Sequence, residues 1–264
     1  MTRPTFRFAP SPNGELHLGH AYSALLNAAM AKEAGGRLLV RIEDIDTVRC
    51  TPELVAKAIA DLEWLGLAWE RPERLQSAHL ADYRRAQQKL QDMGLLYPCF
   101  CSRKEIAAHV GATDPEGQVL YPGTCRRLSP IEIRRRVELN EPFALRLDMR
   151  AAMIQAPVDE AACWGDVVLV RKDIGTSYHI AVVTDDALQG VTHVVRGRDL
   201  LAATPIHILL QNLLGLPTPH YHHHDLINDE AGRKLSKSLG SRSLRALRAE
   251  GVAAQDIRRV LGFD

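Results

Sequence analysis

The sequence predicts an α/β fold, and three observations carry that expectation. Apolar runs of strand length alternate with helical apolar periodicity on both sides of an irregular middle stretch. The first such run passes through a turn bearing Pro10, Pro12 and Gly14 directly into a helix, and a basic loop rich in Gly and Ser follows the last apolar helix. Open α/β sheets place ligands at the carboxyl ends of their strands. The pattern therefore predicts a Rossmann-like core with its turn and basic loop at the mouth.

Element by element, RFAPSPNGELHLGHAYSALLNAAMAKE reads as strand, turn and helix start. Gly35 and Gly36 close that helix, and RLLVRIED is a buried strand delivering Glu43 at its carboxyl end. Thr51-Pro52 starts the next helix, with Leu54, Val55, Ala58, Ile59, Leu62 and Leu65 as its apolar stripe and Gly66 as its stop. Another helix fits 78–93. From about 95 to 150 the pattern changes to clustered cysteines, Gly and Pro turns and short helices, an insert between two halves of a sheet. Alternation returns as DVVLVRKD, the helix SYHIAVVTDDALQG, the strand THVVRG and the helix LLAATPIHILLQNLLG. An amphipathic helix carrying arginines ends the chain from about 243. The predicted organisation is a first catalytic half over 1–94, an insert over 95–150, a second half over 151–240 and a helical segment over 241–264.

A chain of 264 residues has room for one large domain or a large domain plus an insert. Its formal net charge of +1 gives no strong basic field, so a nucleic-acid partner would be held by local patches. Arg126 with Arg127, and Arg134 to Arg136, are candidates, against the plainer reading of a solvated helix face. No signal-peptide core and no apolar run of bilayer length is present, so the expectation is a soluble, cytoplasmic protein with no membrane partner. Five cysteines, an odd count, fit a reducing compartment. There is no internal repeat or low-complexity tract.

Two short signatures carry chemistry: His-Leu-Gly-His at 17–20 and Lys-Leu-Ser-Lys-Ser at 234–238. Gly14 and Gly19 let backbone approach a ligand, and the unpaired N–H groups and positive dipole end of the new helix attract phosphate. His17 and His20 face the same triphosphate, and a ring nitrogen can donate to charge that builds as pyrophosphate leaves. Lys234 and Lys237 are mobile point charges suited to phosphate. In the insert, Cys99, Cys101 and Cys125 offer three soft ligands of a tetrahedral zinc site, with His109 the conventional fourth; three reduced structural thiols are the alternative. Cys50 and Cys163 read as buried small hydrophobes.

The run PHYHHHDLIND holds His220, His222, His223 and His224. Consecutive side chains of an extended segment alternate faces, so these four do not converge on one ion. Asp44 and Asp46 suggest Mg²⁺ or acid–base chemistry, and capping of the following turn is the plainer account.

The two signatures resemble the HIGH and KMSKS motifs of class I aminoacyl-tRNA synthetases, and RFAPSPNGELHLGH narrows the resemblance to the glutamyl branch, from about residue 5 to about 240. Leu235 stands where the common motif has methionine, a mild change in an apolar spacer. The resemblance implies His17, Gly19, His20 and Lys237 at ATP, with His17, His20, Lys234 and Lys237 catalytic. It implies Arg7, Phe8, Ala9, Pro10, Ser11, Glu43, Tyr178 and Arg196 at glutamate. A guanidinium can clamp the side-chain carboxylate, Glu43 hold the ammonium and Tyr178 offer a hydroxyl. The short glutamyl paralogues carry a zinc module here, which implies one structural Zn²⁺ on Cys99, Cys101, Tyr121 and Cys125.

A full glutamyl enzyme continues into a helical anticodon-binding part, and this chain stops shortly after its lysine loop. The expectation is thus a catalytic domain, a monomer, lacking that part. The resemblance to the short paralogues implies activation of L-glutamate by Mg²⁺-ATP without RNA, then transfer to queuosine in the anticodon loop of tRNA(Asp). Two alternatives stay open: a minimal enzyme charging tRNA 3′ ends with glutamate, and an HxGH nucleotidyltransferase acting on a small molecule.

Overall fold

The structure, a computed structural model, describes residues 3–227 and 242–263. It divides into two compact units. The first comprises residues 1–79, 189–201 and 219–264; the second comprises 80–188 and 202–218.

The first unit is built on a five-stranded sheet ordered β3-β2-β1-β7-β8. Its strands are β1 (Thr5–Phe8), β2 (Arg37–Ile42), β3 (Glu70–Leu75), β7 (His193–Gly197) and β8 (His220–His224), and every pairing is parallel. The crossover from β1 to β2 is helix α1 (Leu18–Glu33), and α2 (Pro52–Trp64) leads from β2 towards β3. Thr51 caps α2 through its hydroxyl, which accepts from the Leu54 N–H, and Pro52 fills the first helical position. Strand periodicity sorts the sheet's side chains. Phe6, Phe8, Leu38, Val40, Ile42 and Val195 enter the core together with Leu25 of α1 and Val55 and Leu62 of α2.

The alternate positions point to the opposite face. β1 and β2 pair Arg7 with Leu39, and β1 and β7 pair Phe6 with His193. By that register Arg41 of β2, Arg7 of β1 and Arg196 of β7 share one face, on three adjacent strands. All three are buried. A parallel sheet covered on both faces permits this only where each cation meets acceptors.

The second unit carries a three-stranded sheet ordered β4-β5-β6, with antiparallel β4 (Leu96–Cys99), β5 (Ala144–Leu147) and β6 (Val168–Val170). Around it lie α3 (Leu80–Asp92), α4 (Arg103–Ala107), α5 (Pro130–Glu138), α6 (Met149–Gln155), α7 (Tyr178–Leu188) and α8 (Thr204–Leu214). The strand read in DVVLVRKD is therefore not part of the parallel sheet. Asp166, buried just before β6, explains why. Its carboxylate accepts from Tyr97 Oη at 2.5 Å, from Arg126 Nη1 at 2.7 Å and from the Met149 N–H at 3.0 Å, and its carbonyl accepts from Arg146 Nη1 at 2.7 Å. Those partners come from β4, β5, the start of α6 and the 3₁₀ turn Cys125–Arg127, so charge-assisted bonds fix β6 there.

Two further differences have local causes. The terminal segment forms two short helices, α9 (Leu244–Ala249) and α10 (Ala254–Val260), because Gly251, at φ +89°, breaks the run. Cys163 is exposed: in the 3₁₀ turn Asp159–Trp164 the buried positions belong to Ala161 and Trp164. Cys50 is buried, as read. Among the described residues no helix is long and apolar enough to cross a membrane.

Candidate active site

His17 is the N-cap of α1, with φ −126° and ψ 178°. Its ring Nδ1 accepts from the Gly19 N–H at 3.1 Å, and its own backbone N–H donates to His20 Nδ1 at 3.2 Å. The two histidines thus form a reciprocal capping box, and their ring centroids lie 3.9 Å apart. This modifies the expectation of open N–H groups at the helix start. The Gly19 and His20 N–H groups are already engaged, the latter by the His17 carbonyl at 2.9 Å. What the motif offers an anion is therefore the dipole end and the ring edges. A neutral imidazole that accepts at Nδ1 carries its proton on Nε2, so both rings are donors at Nε2. Gly19 makes the fold-back possible: a Cβ there would lie 3.0 Å from His17 Cε1 and 3.2 Å from Nδ1.

Lys234 and Lys237 lie outside the described residues. The segment's flanks are described, and both meet the opening of α1. Before it, His224 at the end of β8 packs edge-on against Tyr22 of α1 with centroids 5.1 Å apart. After it, Ser243 forms a β-bridge with His17, and the Leu244 N–H donates to the Leu16 carbonyl at 2.8 Å.

The amino-acid candidates divide between the units. In the first, the Glu43 N–H donates to the Pro10 carbonyl at 3.0 Å, which joins the end of β2 to the turn after β1. Cys50 Sγ sits between the same two segments, 3.7 Å from Ser11 Oγ and 3.9 Å from the Glu43 carbonyl. Burial pushes the Cys50 thiol up, so it packs there as a neutral group. Phe8 is buried in the core, so its backbone alone is available to a ligand, and Pro10 is buried as well, while Ala9 is half-buried and Ser11 exposed. Arg7 and Arg196 lie on the polar face of the sheet, each about 5% or less exposed. Tyr178 belongs to the second unit, at the start of α7, where its ring meets His207 of α8 edge-on at 5.4 Å.

Three neighbours of these candidates escape a reading of the sequence. Arg41, fully buried, donates from Nη2 to Glu43 Oε1 at 3.2 Å and from Nη1 to Gln189 Oε1 at 3.1 Å, so Glu43 has a cationic neighbour built in. The signal was an arginine inside the apolar strand RLLVRI. His223 and Tyr221 flank the Arg196 guanidinium: His223 Nε2 accepts from Arg196 Nε at 3.4 Å, and Arg196 Cζ lies 5.2 Å from the Tyr221 ring centroid. Neither Asp44 nor Asp46 gathers with others as a metal group among the described residues. Asp46 accepts from the Arg49 N–H at 3.3 Å and so caps the following turn. Asp44 instead accepts from Ser77 N–H at 2.9 Å and Ser77 Oγ at 2.7 Å, holding the 3₁₀ turn Gln76–His79 beyond β3.

In the second unit the Sγ atoms of Cys99, Cys101 and Cys125 lie within 4.8 Å of one another, the one such group among the described residues. Cys101 Sγ is 3.5 Å from Cys125 Sγ and 3.5 Å from Tyr121 Oη. A tetrahedral Zn–S site has S···S edges of about 3.8 Å, so the sulfurs are close to the spacing zinc requires. Tyr121 Oη lies beside the three sulfurs and accepts from the Cys125 N–H at 2.8 Å. His109 is exposed and outside the group. Lys172 Nζ braces the motif from behind, donating to the carbonyls of Phe100 at 2.8 Å and Cys101 at 3.1 Å. At Cys125 burial opposes ionisation, but hydrogen bonds from Tyr121 and the Phe100 N–H outweigh it and lower the thiol; at Cys101 burial prevails and raises it. A lowered thiol more readily takes the charged form that ligates a soft cation.

Comparison with known proteins agrees with this geometry. The sequence profile for "tRNA synthetases class I (E and Q), catalytic domain" matches residues 5–262. A glutamyl-Q tRNA(Asp) synthetase of Rhodobacter capsulatus is 48% identical, over 97% of this chain and 99% of its own. The glutamate–tRNA ligase of Aquifex aeolicus is 38% identical over 95% of this chain, which spans 55% of that longer protein. The crystal structure of a glutamate tRNA ligase from Elizabethkingia meningosepticum in complex with its amino acid superposes with a TM-score of 0.80 at 26% identity, over 98% of this chain and 60% of that one. With a profile match along nearly all its length and a relative matched end to end, the chain belongs to the class I tRNA synthetases (E and Q), among the glutamyl-Q tRNA(Asp) synthetases.

Proposed function

We propose that the chain is an ATP-dependent ligase that activates L-glutamate to glutamyl-adenylate without RNA and then transfers glutamate to queuosine in the anticodon loop of tRNA(Asp). The observation that carries this reading is the 48% identity to a glutamyl-Q tRNA(Asp) synthetase over 97% of this chain and 99% of that protein.

In the first step a glutamate α-carboxylate oxygen attacks the α-phosphorus of Mg²⁺-ATP, and the bond to the bridging oxygen of pyrophosphate breaks. Catalysis consists of positioning and charge neutralisation. The Nε2–H groups of His17 and His20 donate to the phosphates, supported by the dipole of α1. Lys234 and Lys237 complete the neutralisation, a role supported by the two flanks that meet the start of α1. Arg7 and Arg196 hold the side-chain carboxylate and Glu43 the ammonium, beside the backbone of 8–11, and Tyr178 offers a hydroxyl.

In the second step a hydroxyl of the queuosine cyclopentenediol attacks the activated carbonyl, AMP leaves with the bonding electrons, and the hydroxyl proton passes to solvent. Cys99, Cys101, Tyr121 and Cys125 would hold one zinc ion, which when bound ties the end of β4 to the loop 121–125.

Transfer of labelled glutamate to tRNA from queuosine-containing cells, run beside tRNA from cells unable to make queuosine, tests the acceptor. Label on the first pool alone is expected. Equal label on both pools would indicate 3′-end charging instead, and label on neither would point to a small-molecule acceptor.

A further inference from the structure

Residues 171–176 close a tight turn between β6 and α7, within the second unit. The Gly175 N–H donates to the Arg171 carbonyl at 3.0 Å, the Arg171 N–H to the Thr176 carbonyl at 3.3 Å, and Gln87 Nε2 of α3 to the Gly175 carbonyl at 3.0 Å. Lys172 reaches out of this turn to the cysteine cluster, where its Nζ donates to the carbonyls of Phe100 and Cys101. β4 and β6 do not pair, since β5 lies between them. Antiparallel pairing on both sides of β5 brings the ends of β4 and β6 to the same edge of the sheet, and Lys172 spans that edge. Phe100 is thereby held from two sides: its N–H donates to Cys125 Sγ at 3.4 Å and its carbonyl accepts from the ammonium.

We propose that Lys172 is a positioning residue that transmits metal occupancy of the cysteine cluster to the start of α7. Metal on Cys99, Cys101 and Cys125 would fix the backbone between the first two, and two charge-assisted bonds from one ammonium pass that constraint to the turn. The turn runs through the buried Thr176 and Ser177 directly into Tyr178, the first residue of α7. By linkage the effect is reciprocal, so a turn held through Lys172 also strengthens the hold on the metal.

The inference rests on zinc at the cluster and on Tyr178 at glutamate, and the test separates these readings from the link itself. Hydrogen exchange of the amides of 171–178, zinc affinity by chelator competition and glutamate affinity by calorimetry are measured on the full chain. In the parent, stripping zinc is expected to speed exchange across 171–178 by roughly tenfold or more and to raise the glutamate Kd by about threefold or more. Lys172→Met, which keeps the stem and removes the charge, is expected to show the faster exchange with zinc still bound and to respond no further to stripping. It should also hold zinc roughly tenfold more weakly. Lys172→Arg, which keeps a cationic donor, should restore most of the zinc dependence.

Exchange that does not respond to zinc in the parent, or that responds equally in Lys172→Met, overturns the link. Exchange that responds as expected beside an unaltered glutamate Kd leaves the link standing and removes Tyr178 from the glutamate site. A chain that takes up no zinc refutes the metal site and the link with it. Should stripping unfold the chain, the zinc-loaded forms decide alone: exchange and zinc affinity unchanged in Lys172→Met overturn the link, and faster exchange with weaker zinc supports it.

Discussion

His17 and His20 are each other's partners at the start of α1: the His17 backbone N–H donates to His20 Nδ1 at 3.2 Å, and the two ring centroids are 3.9 Å apart. Capping the helix and the proposed contact with phosphates use different atoms of the same rings: Nδ1 holds the helix start, and a neutral ring that accepts there carries its proton on Nε2.

Gly19 is where this arrangement is most exposed to change. Alanine is the better helix former by up to about 1 kcal/mol, but its Cβ would come within 3.0 Å of the His17 ring. Gly19→Ala is therefore expected to leave the melting temperature within a few degrees of the parent while lowering kcat for ATP–pyrophosphate exchange by about tenfold or more. Unchanged exchange would show that the position of the His17 ring does not matter to activation.

The cysteine cluster gives a prediction that needs no enzyme assay. Metal analysis of the purified protein should find one zinc per chain. Cys125→Ser should abolish it, because it removes one of the three grouped sulfurs. Tyr121→Phe removes both the fourth donor and the acceptor of the Cys125 N–H, and is expected to weaken zinc by about tenfold or more. Zinc retained at parent affinity in Tyr121→Phe would exclude the phenol as ligand.

How far the sequence can be read depends on how local the determining physics is. The cap and proline of α2, the strand ending at Glu43 and the HLGH helix start were all legible, because each rests on neighbours within a few residues. The placement of β6 was not, since it depends on Asp166 meeting Tyr97 and Arg126, far away in sequence. The same holds at the site. Arg7 and Arg196 were accessible as arginines at strand ends, whereas Arg41 looked like one polar residue in an apolar strand until register placed it on their face. The alternating faces of the histidine run follow from extended geometry alone, but that Arg196 sits against His223 follows only from the pairing of β7 with β8.

Asp61 connects burial to pH. It lies on the buried face of α2, 1% exposed, with Oδ2 lacking a hydrogen-bond partner. Burial pushes its pKa up to about 6, against the opposing pull of Arg245. A raised folded-state pKa means that the contribution to stability is complete below the unfolded value, near 3.9, and is lost as pH rises through about 6. Asp61→Asn, neutral at every pH, is therefore expected to be more stable than the parent at pH 8, by on the order of 1–3 kcal/mol. The advantage should shrink to near zero at pH 4. Urea unfolding across that range checks it, and a difference independent of pH would assign the effect to packing rather than charge.

The arginines of α5 offer a way to test activation and transfer separately. Arg126 is engaged by Asp166 at 2.7 Å, and Arg136 by Glu141 at 2.8 Å and the Phe100 ring. The side chains of Arg134 and Arg135, by contrast, are exposed and make no ion pair or hydrogen bond among the described residues. Solvated arginines on a helix face contribute little to folding, but they can displace counterions from a phosphate backbone. Arg134→Ala with Arg135→Ala is expected to leave ATP–pyrophosphate exchange at the parent rate. Transfer to tRNA should weaken, with the slope of log affinity against log salt reduced by about 1–2. If the salt slope is unchanged, both side chains are a solvated face and the RNA is held elsewhere; if exchange falls as well, their role lies in the fold of the second unit rather than in the encounter with RNA.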